Sequence, residues 1–364
     1  MIEIPIARPT IGEEEIRAVS KVIRSGFLAQ GPVVRQFEEA FAKYCGTKHA
    51  VAINSGTAAL HAALIAAGIG NGDSVIVPSF TFFASASAVS MCGATPLFAD
   101  VDDQTFMLIP ESVKELITPS TKAVMGVHLF GQPFAIKPIQ ELCEDHNLIL
   151  IEDAAQAHGA QYHGQRVGGF GLAGCFSFYP TKNMTTGEGG MVTTNDSTYA
   201  EQIRQIINHG QSQKYLHTIL GYNYRMTDIG GALGIAQLKK LDKFNEQRNS
   251  NAAYLNRNLS RSKLILPTTH DDIYHVYHQY VVRVTPDFPM NRDALAKYLN
   301  SQGIGTAVHY PLPLHRQPFY RSLVPQPRCP VSDQLASEVL SLPIHPLVTE
   351  DGLHHIVSTI IEVA

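Results

Sequence analysis

The 364-residue chain lacks the marks of several protein classes. It has no block of like charge: 28 Lys and Arg stand against 32 Asp and Glu, a formal net charge of −4. Binding to a nucleic-acid backbone requires a basic stripe, so that class is set aside, while a basic pocket for a small anion stays compatible with the composition. Cysteine is scarce. Cys45, Cys92, Cys143, Cys175 and Cys329 are scattered, without a CxxC pair, which argues for buried thiols in a reducing cytoplasm and against a disulfide frame. The sixteen His residues mostly stand alone, and His354–His355 lacks helical ligand spacing, so no metal site is expected. The most apolar stretch, Ala58 to Ile69, is too short and interrupted to span a bilayer. Met1 opens onto Ile2–Glu3–Ile4–Pro5 without the basic and apolar regions of a secretory signal, and a cytoplasmic location with no membrane contact is expected.

With 45% hydrophobic and 16% charged residues, the composition is that of a well-buried globular protein. The length exceeds what one compact core usually holds, so a large and a smaller domain are expected. Apolar runs at Ser74–Pro78, Thr95–Asp100, Ala123–Val127, Leu148–Asp153, Gly174–Phe178 and Gly190–Thr194 read as buried strands. Helix-length segments, Thr57–Gly68, Phe83–Cys92 and Ile136–His146, lie between several of them. The alternation predicts an α/β domain with a largely parallel sheet. One long amphipathic helix is expected from Thr227 to about Asn258. A smaller α+β unit should follow, with strands Gln279–Val284 and Thr306–His309, helix Asn291–Gln302, and a terminal helix after Thr349. The Pro-rich stretch Pro311–Pro330 reads as an ordered surface loop because it carries Leu312, Leu314, Phe319 and Tyr320. A helix near Glu13–Ser25 should pack back on the large domain. The boundary is drawn between residues 1–245 and 246–364.

Ligands in such folds sit beyond the carboxyl ends of the strands, which directs attention to four turns. Asn54–Ser55–Gly56–Thr57–Ala58 follows an apolar run and opens an Ala-rich helix. Its small residues leave backbone N–H groups free for an anion such as phosphate, although Ser55 or Thr57 could equally be an ordinary N-cap. Asp153 ends the apolar run Leu148–Ile151 and, at that depth, needs a cationic partner. A protonated pyridine nitrogen is one candidate; a helix N-terminus is another. Glu152 should point to the opposite face. Lys182, in Phe176–Ser177–Phe178–Tyr179–Pro180–Thr181–Lys182, follows a strand and an X-Pro turn and precedes Gly187–Glu188–Gly189–Gly190. A lysine held there suits covalent chemistry with a lowered pKa; a surface-loop lysine is the plainer reading. Ser177 could add a hydroxyl to a phosphate site. Phe82 lies past another strand end, where an aromatic could stack on a flat ring or join the core.

Together with further motifs these residues resemble the sugar aminotransferases of the DegT/DnrJ/EryC1/StrS type, which are pyridoxal-phosphate (PLP) enzymes of the aspartate-aminotransferase-like fold type I. The resemblance runs from Ile6–Ala7–Arg8–Pro9 and Gly31–Pro32, through Asn54–Ser55–Gly56–Thr57, Glu152–Asp153–Ala154–Ala155–Gln156 and Ser177–Phe178–Tyr179–Pro180–Thr181–Lys182. It continues to Asn208–His209–Gly210, Tyr222–Asn223–Tyr224–Arg225 and His309–Tyr310–Pro311. It implies that Lys182 carries PLP as a Schiff base and then serves as acid and base. It implies that Asp153 faces the ring nitrogen, that Gln156 lies near the ring's 3-oxygen or over its face, and that Phe82 stacks on the ring. Gly56, Thr57 and Ser177 would hold the phosphate, and Asn223 would reach the cofactor phosphate of a neighbouring subunit, which makes a homodimer with shared sites the expected unit. Gly26, Thr181, Arg225, His309 and Tyr310 match positions that contact a nucleotide sugar; Leu28 departs from relatives that carry an aromatic there.

Retention of Lys182 favours transamination over the dehydratase branch, which has lost that lysine. L-Glutamate is the expected donor and a nucleotide-linked keto-sugar the acceptor. The stretch from Thr306 through Pro318 resembles relatives that aminate C3 of UDP-N-acetylhexosamine-type ketones, which implies a UDP-linked 3-keto N-acetylhexosamine destined for lipopolysaccharide or another surface polysaccharide. C4 amination of a UDP- or dTDP-4-keto-6-deoxy sugar competes with that reading, as does a PLP-binding regulator without turnover. A desulfurase on the same fold would need a mobile catalytic cysteine, for which no candidate stands out.

Overall fold

A computed structural model describes residues 3–323 and 327–364. Its main sheet has seven strands: β1 (His49–Ile53), β2 (Ser74–Pro78), β3 (Thr95–Ala99), β4 (Thr121–Val127), β5 (Ile149–Asp153), β6 (Ala173–Ser177) and β7 (Gly190–Thr194). Their order is β1-β7-β6-β5-β4-β2-β3. Only β7 opposes its neighbours β6 and β1, while β6, β5, β4, β2 and β3 pair in parallel. The sheet is therefore mostly parallel, as the continuous apolar runs require: every residue of β2 and of β7 is buried, so both faces are covered.

Two helical layers supply the cover. On one face the helix Pro32–Cys45, which the sequence reading did not anticipate, sends Phe37 and Phe41 against Phe176 and Phe178 at the end of β6. Its start is capped from far along the chain: Asp228 accepts from the N–H groups of Gly31, Val33 and Val34. On the other face Gly56–Ala66 buries Ala58, Ala59, Ala62 and Ala63, short side chains that let this apolar helix lie close to the strands. On β4, Gly126 leaves room for Phe134, since a Cβ there would sit 2.3 Å from its ring.

Three expectations are corrected. The helix predicted from Thr227 to Asn258 is two helices, Asp228–Leu238 and Leu241–Leu259. The break falls where Gln237 and Lys240 both reach Glu15 of the N-terminal helix Glu13–Ser25, which packs on Asp228–Leu238. Thr306–His309 is not a strand: only Ala307 bridges to Ser341, because Asn300 accepts from the N–H of Thr306 and donates to its hydroxyl and His309 turns to the Ser341 hydroxyl. The stretch after Pro311 is more than a surface loop. Leu314 and Tyr320 are buried in the core, and Leu314 and His315 are tied to the backbone and hydroxyl of Ser79; residues 324–326 of that stretch lie outside the described residues.

The C-terminal part has its own apolar cluster, including Leu255, Leu259, Tyr280, Val282, Leu340, Leu342, Ile356 and Ile360, joined by Ile4 from the N-terminus. It surrounds an antiparallel pair, Tyr280–Arg283 with Val339–Leu342, flanked by helices Arg292–Ser301 and Glu350–Glu362. Cys45, Cys143, Cys175 and Cys329 are buried, Cys92 half-buried, and all five are free. Among the described residues no helix is long and apolar enough to cross a membrane.

Candidate active site

A cavity of about 340 Å³ opens where β1, β2, β4, β5 and β6 end. Gly56, Thr57, Phe82, Asp153, Gln156, Ser177, Thr181, Lys182, His309 and Tyr310 all line it. Residues separated by more than two hundred positions thus meet at the strand ends, where parallel α/β sheets hold their ligands.

At one end of the cavity β1 turns into the helix Gly56–Ala66. Ser55 is the N-cap, its Oγ accepting from the Ala58 N–H at 3.1 Å, so the capping role falls to Ser55 and Thr57 is free to face the cavity. A Cβ on Gly56 would lie 2.6 Å from Cβ of Ser177. Only glycine permits this approach. The pinch sets a hydroxyl of β6 beside the positive end of a helix dipole, a cradle for an anion.

Asp153 is buried at the tip of β5. No helix follows it, which removes the capping alternative. Its Oδ2 accepts from Ser85 Oγ at 2.7 Å and its Oδ1 from the N–H of Ala155 at 3.2 Å. Burial pushes its pKa up, against the pull of the Ser85 hydroxyl, the Ala155 N–H and the Lys182 ammonium. A carboxylate in that condition favours a further cation. Glu152, one residue earlier, points to the opposite face as expected. It accepts from His128 and from the backbone N–H groups of Gly168, Phe170 and Gly171, which outweigh burial and keep its pKa below the usual value.

Lys182 sits in a turn closed by its own N–H on the Tyr179 carbonyl at 2.9 Å. The next residue clamps that turn: Asn183 donates to Asn245 Oδ1 at 2.8 Å and to the Val276 carbonyl at 2.9 Å. The lysine is tethered, and the surface-loop reading falls away. Burial lowers its pKa from 10.5 to about 8, against the opposing effect of Asp153. Gln156 is held at both ends of its amide, accepting from the Phe130 N–H at 2.7 Å and donating to Tyr310 Oη at 3.0 Å. The ring of Phe82, 55% exposed, tilts toward Tyr310 with centroids 5.9 Å apart. Burial and the nearby Lys182 lower His309 to about 4, so its ring is neutral near pH 7.

Three expected site residues are not in this cavity. Gly26 ends the first helix in the left-handed conformation at φ 75°. Asn223 and Arg225 lie on a segment beside the end of β1, where Asn54 N–H donates to the Tyr224 carbonyl and Arg225 pairs with Ile53. The Arg225 guanidinium donates to Asn208 Oδ1 at 2.7 Å. The sequence reading in turn missed Ser85, Thr81, His278, Gln279 and Glu188, the last four lining the cavity. Ser85 and Thr81 carry a signal: small hydroxyl residues at the start of a helix that follows a strand end.

The residues present suit one cofactor. A cradle that excludes a Cβ fits a phosphate, a buried carboxylate lacking a full counter-charge fits a protonated ring nitrogen, and an amine of lowered pKa fits a carbonyl. Fold and cavity together define a PLP enzyme of the aspartate-aminotransferase-like type. The chain belongs to the DegT/DnrJ/EryC1/StrS aminotransferase family, whose model matches residues 9–361. Among curated relatives, a pleiotropic regulatory protein of Geobacillus stearothermophilus is 40% identical, with 100% of this chain and 97% of the relative aligned. The UDP-N-acetyl-3-dehydro-α-D-glucosamine 3-aminotransferase of Acidithiobacillus ferrooxidans is 38% identical, with 99% and 96% aligned. The dTDP-3-amino-3,4,6-trideoxy-α-D-glucose transaminase of Streptomyces venezuelae is 41% identical, with 95% and 90% aligned. Spr1654 of Streptococcus pneumoniae, described as a sugar aminotransferase and solved in its PLP form, superposes with a TM-score of 0.95 at 27% identity, over 100% of this chain and 98% of that one. The protein is accordingly a PLP-dependent sugar aminotransferase.

Proposed function

We propose that the protein moves the amino group of L-glutamate to C3 of a UDP-linked 3-keto N-acetylhexosamine, for a lipopolysaccharide or another surface polysaccharide. The observation that carries the reading of the site is that Asp153 and Lys182, 29 positions apart, face one cavity beside the Gly56–Ser177 pinch. C3 amination is favoured because the similar Acidithiobacillus and Streptomyces enzymes both name that carbon.

In this reading Gly56, Thr57 and Ser177 would bind the phosphate and anchor the cofactor, Phe82 would stack on its ring, and Gln156, braced by Tyr310, would lie near the ring's 3-oxygen or over its face. PLP, once bound, supplies an electron sink for the pair left at the amino-bearing carbon. Asp153 keeps a proton on the ring nitrogen, which its burial and limited hydrogen bonding suit it to do. Lys182 would take the proton from the donor's α-carbon and pass it to the cofactor carbon that carries the amino group, and in the sugar half-reaction would move a proton the opposite way, to the sugar carbon; a pKa of about 8 leaves a useful fraction as free amine near neutral pH. Thr181, His309 and Tyr310 border the space left for the sugar.

A homodimer completes the site. Gly26, Asn223 and Arg225 lie outside this chain's own cavity, which supports their serving a neighbouring copy: Asn223 at the phosphate, Gly26 and Arg225 at the nucleotide. A guanidinium suits a diphosphate. The separate apolar cluster of the C-terminal part supports a division near residue 245. Burial of four of the five free thiols supports a cytoplasmic location.

The deciding experiment supplies L-glutamate and, in turn, UDP- and dTDP-linked 3-keto and 4-keto sugars, with products weighed by mass spectrometry. The UDP-linked 3-keto N-acetylhexosamine should gain the amine fastest. Preference for any 4-keto sugar would overturn the assignment of the carbon, and preference for a dTDP sugar the assignment of the nucleotide.

A further inference from the structure

Two hydroxyl groups stand behind Asp153. Ser85 Oγ lies 2.7 Å from Asp153 Oδ2, and Thr81 Oγ1 lies 3.2 Å from Ser85 Oγ. Both residues are almost wholly buried, yet Thr81 lines the cavity. The direction of each bond follows from proton counting. An ionised carboxylate only accepts, so Ser85 spends its single proton on Asp153; Ser85 can then only accept from Thr81, whose hydroxyl must donate. The two bonds form a one-way relay. Thr81 and Ser85 also flank Phe82 and the helix start at Phe83, so the relay ties the carboxylate at the end of β5 to the turn after β2 that bears the stacking aromatic.

We propose that Ser85, oriented by Thr81, is a positioning residue for this transaminase. It holds the Asp153 carboxylate ionised and fixed in rotation, so that Asp153 keeps the cofactor's ring nitrogen protonated. The inference rests on the pairing of Asp153 with that nitrogen. Burial works against the ionised form, and the side-chain donor that reaches Asp153 is Ser85. The Ala155 N–H alone, at 3.2 Å on the other oxygen, is a longer contact. The other charged or titratable groups facing Asp153 are Lys182, His128, Tyr310 and Cys175. None of these is hydrogen-bonded to its side chain.

The test reads the pH midpoint of the bound cofactor's visible absorption band, together with the cofactor dissociation constant. A protonated ring nitrogen lowers the pKa of the nitrogen joining Lys182 to the cofactor, because like charges repel. Ser85→Ala should therefore raise the midpoint, by about one pH unit, and weaken cofactor binding about tenfold, the scale of a lost hydrogen bond to a charged group. Thr81→Val should move both in the same direction by less, and Thr81→Ser, which keeps the hydroxyl, should leave them as in the wild type. Asp153→Asn is the control. If Asp153→Asn shifts the midpoint and Ser85→Ala does not, the relay is wrong while the carboxylate's role survives. If neither shifts it, the pairing of Asp153 with the ring fails, and the relay with it.

Discussion

The task proposed for Lys182 depends on its surroundings rather than on any change in the side chain. An exposed lysine is charged at neutral pH; here burial brings the pKa from 10.5 to about 8, and Asp153 keeps it from falling further. The neutral amine is the form that attacks a carbonyl. The rate at which cofactor-free protein captures PLP should accordingly rise as pH climbs from 6.5, bend near pH 8 and level off above it, which stopped-flow absorbance would follow. A rate still climbing steeply past pH 9.5 would mean that the amine is an ordinary exposed lysine. From its place after a strand and an X-Pro turn alone, a surface-loop lysine was the plainer reading; the family resemblance, not the local pattern, singled it out. Its clamp was not legible. Asn183 holds the turn through Asn245 and Val276, two positions far along the chain with no local pattern to mark them.

Between strand and helix, the decisive geometry is the close approach of two backbones. Gly56 opens a helix at the end of β1, Ser177 closes β6, and β7 lies between these strands in the sheet. Gly56→Ala would force its methyl group to within 2.6 Å of the Ser177 side chain. Cofactor affinity should fall at least about tenfold, and the fold should lose about 1–3 kcal/mol, the usual cost of an extra methyl in a packed site. Fluorescence titration with PLP and thermal unfolding would measure both; an unaltered affinity would remove Gly56 from the phosphate cradle. The parallel strands were readable because burial on both faces leaves a continuous apolar run. The helix Pro32–Cys45 was passed over although Gly31–Pro32 marks its start, because its cap, Asp228, stands nearly two hundred residues away. Thr306–His309 looked like a strand by composition, yet the Asn300 side chain claims Thr306 and leaves one bridge.

At the scale of the whole molecule, the residues absent from the cavity are as informative as those present. Gly26, Asn223 and Arg225 lie elsewhere on the same chain, which is the arrangement expected if each site borrows them from a second copy. Chains carrying Lys182→Ala and chains carrying Asn223→Ala together with Arg225→Ala should each be nearly inactive alone. Mixed and re-annealed in equal amounts, they should recover about a quarter of wild-type turnover, since half the dimers are then mixed and each mixed dimer has one intact site of two. Mixtures no more active than their parents would show that the sites are not shared.

Six of the seven strands of the main sheet, the glycine-opened helix after β1, the acid at the tip of β5 and the lysine beyond β6 were present in the one-dimensional pattern, because burial periodicity and turn chemistry are local properties. Whether that acid and that lysine face one space depended on the parallel stacking of β4, β5 and β6, which no local pattern encodes. The same holds for the hydroxyl relay behind Asp153 and the split of the long helix at Lys239–Lys240. Each comes from side chains brought together across long stretches of chain, and only the packed core sets those distances.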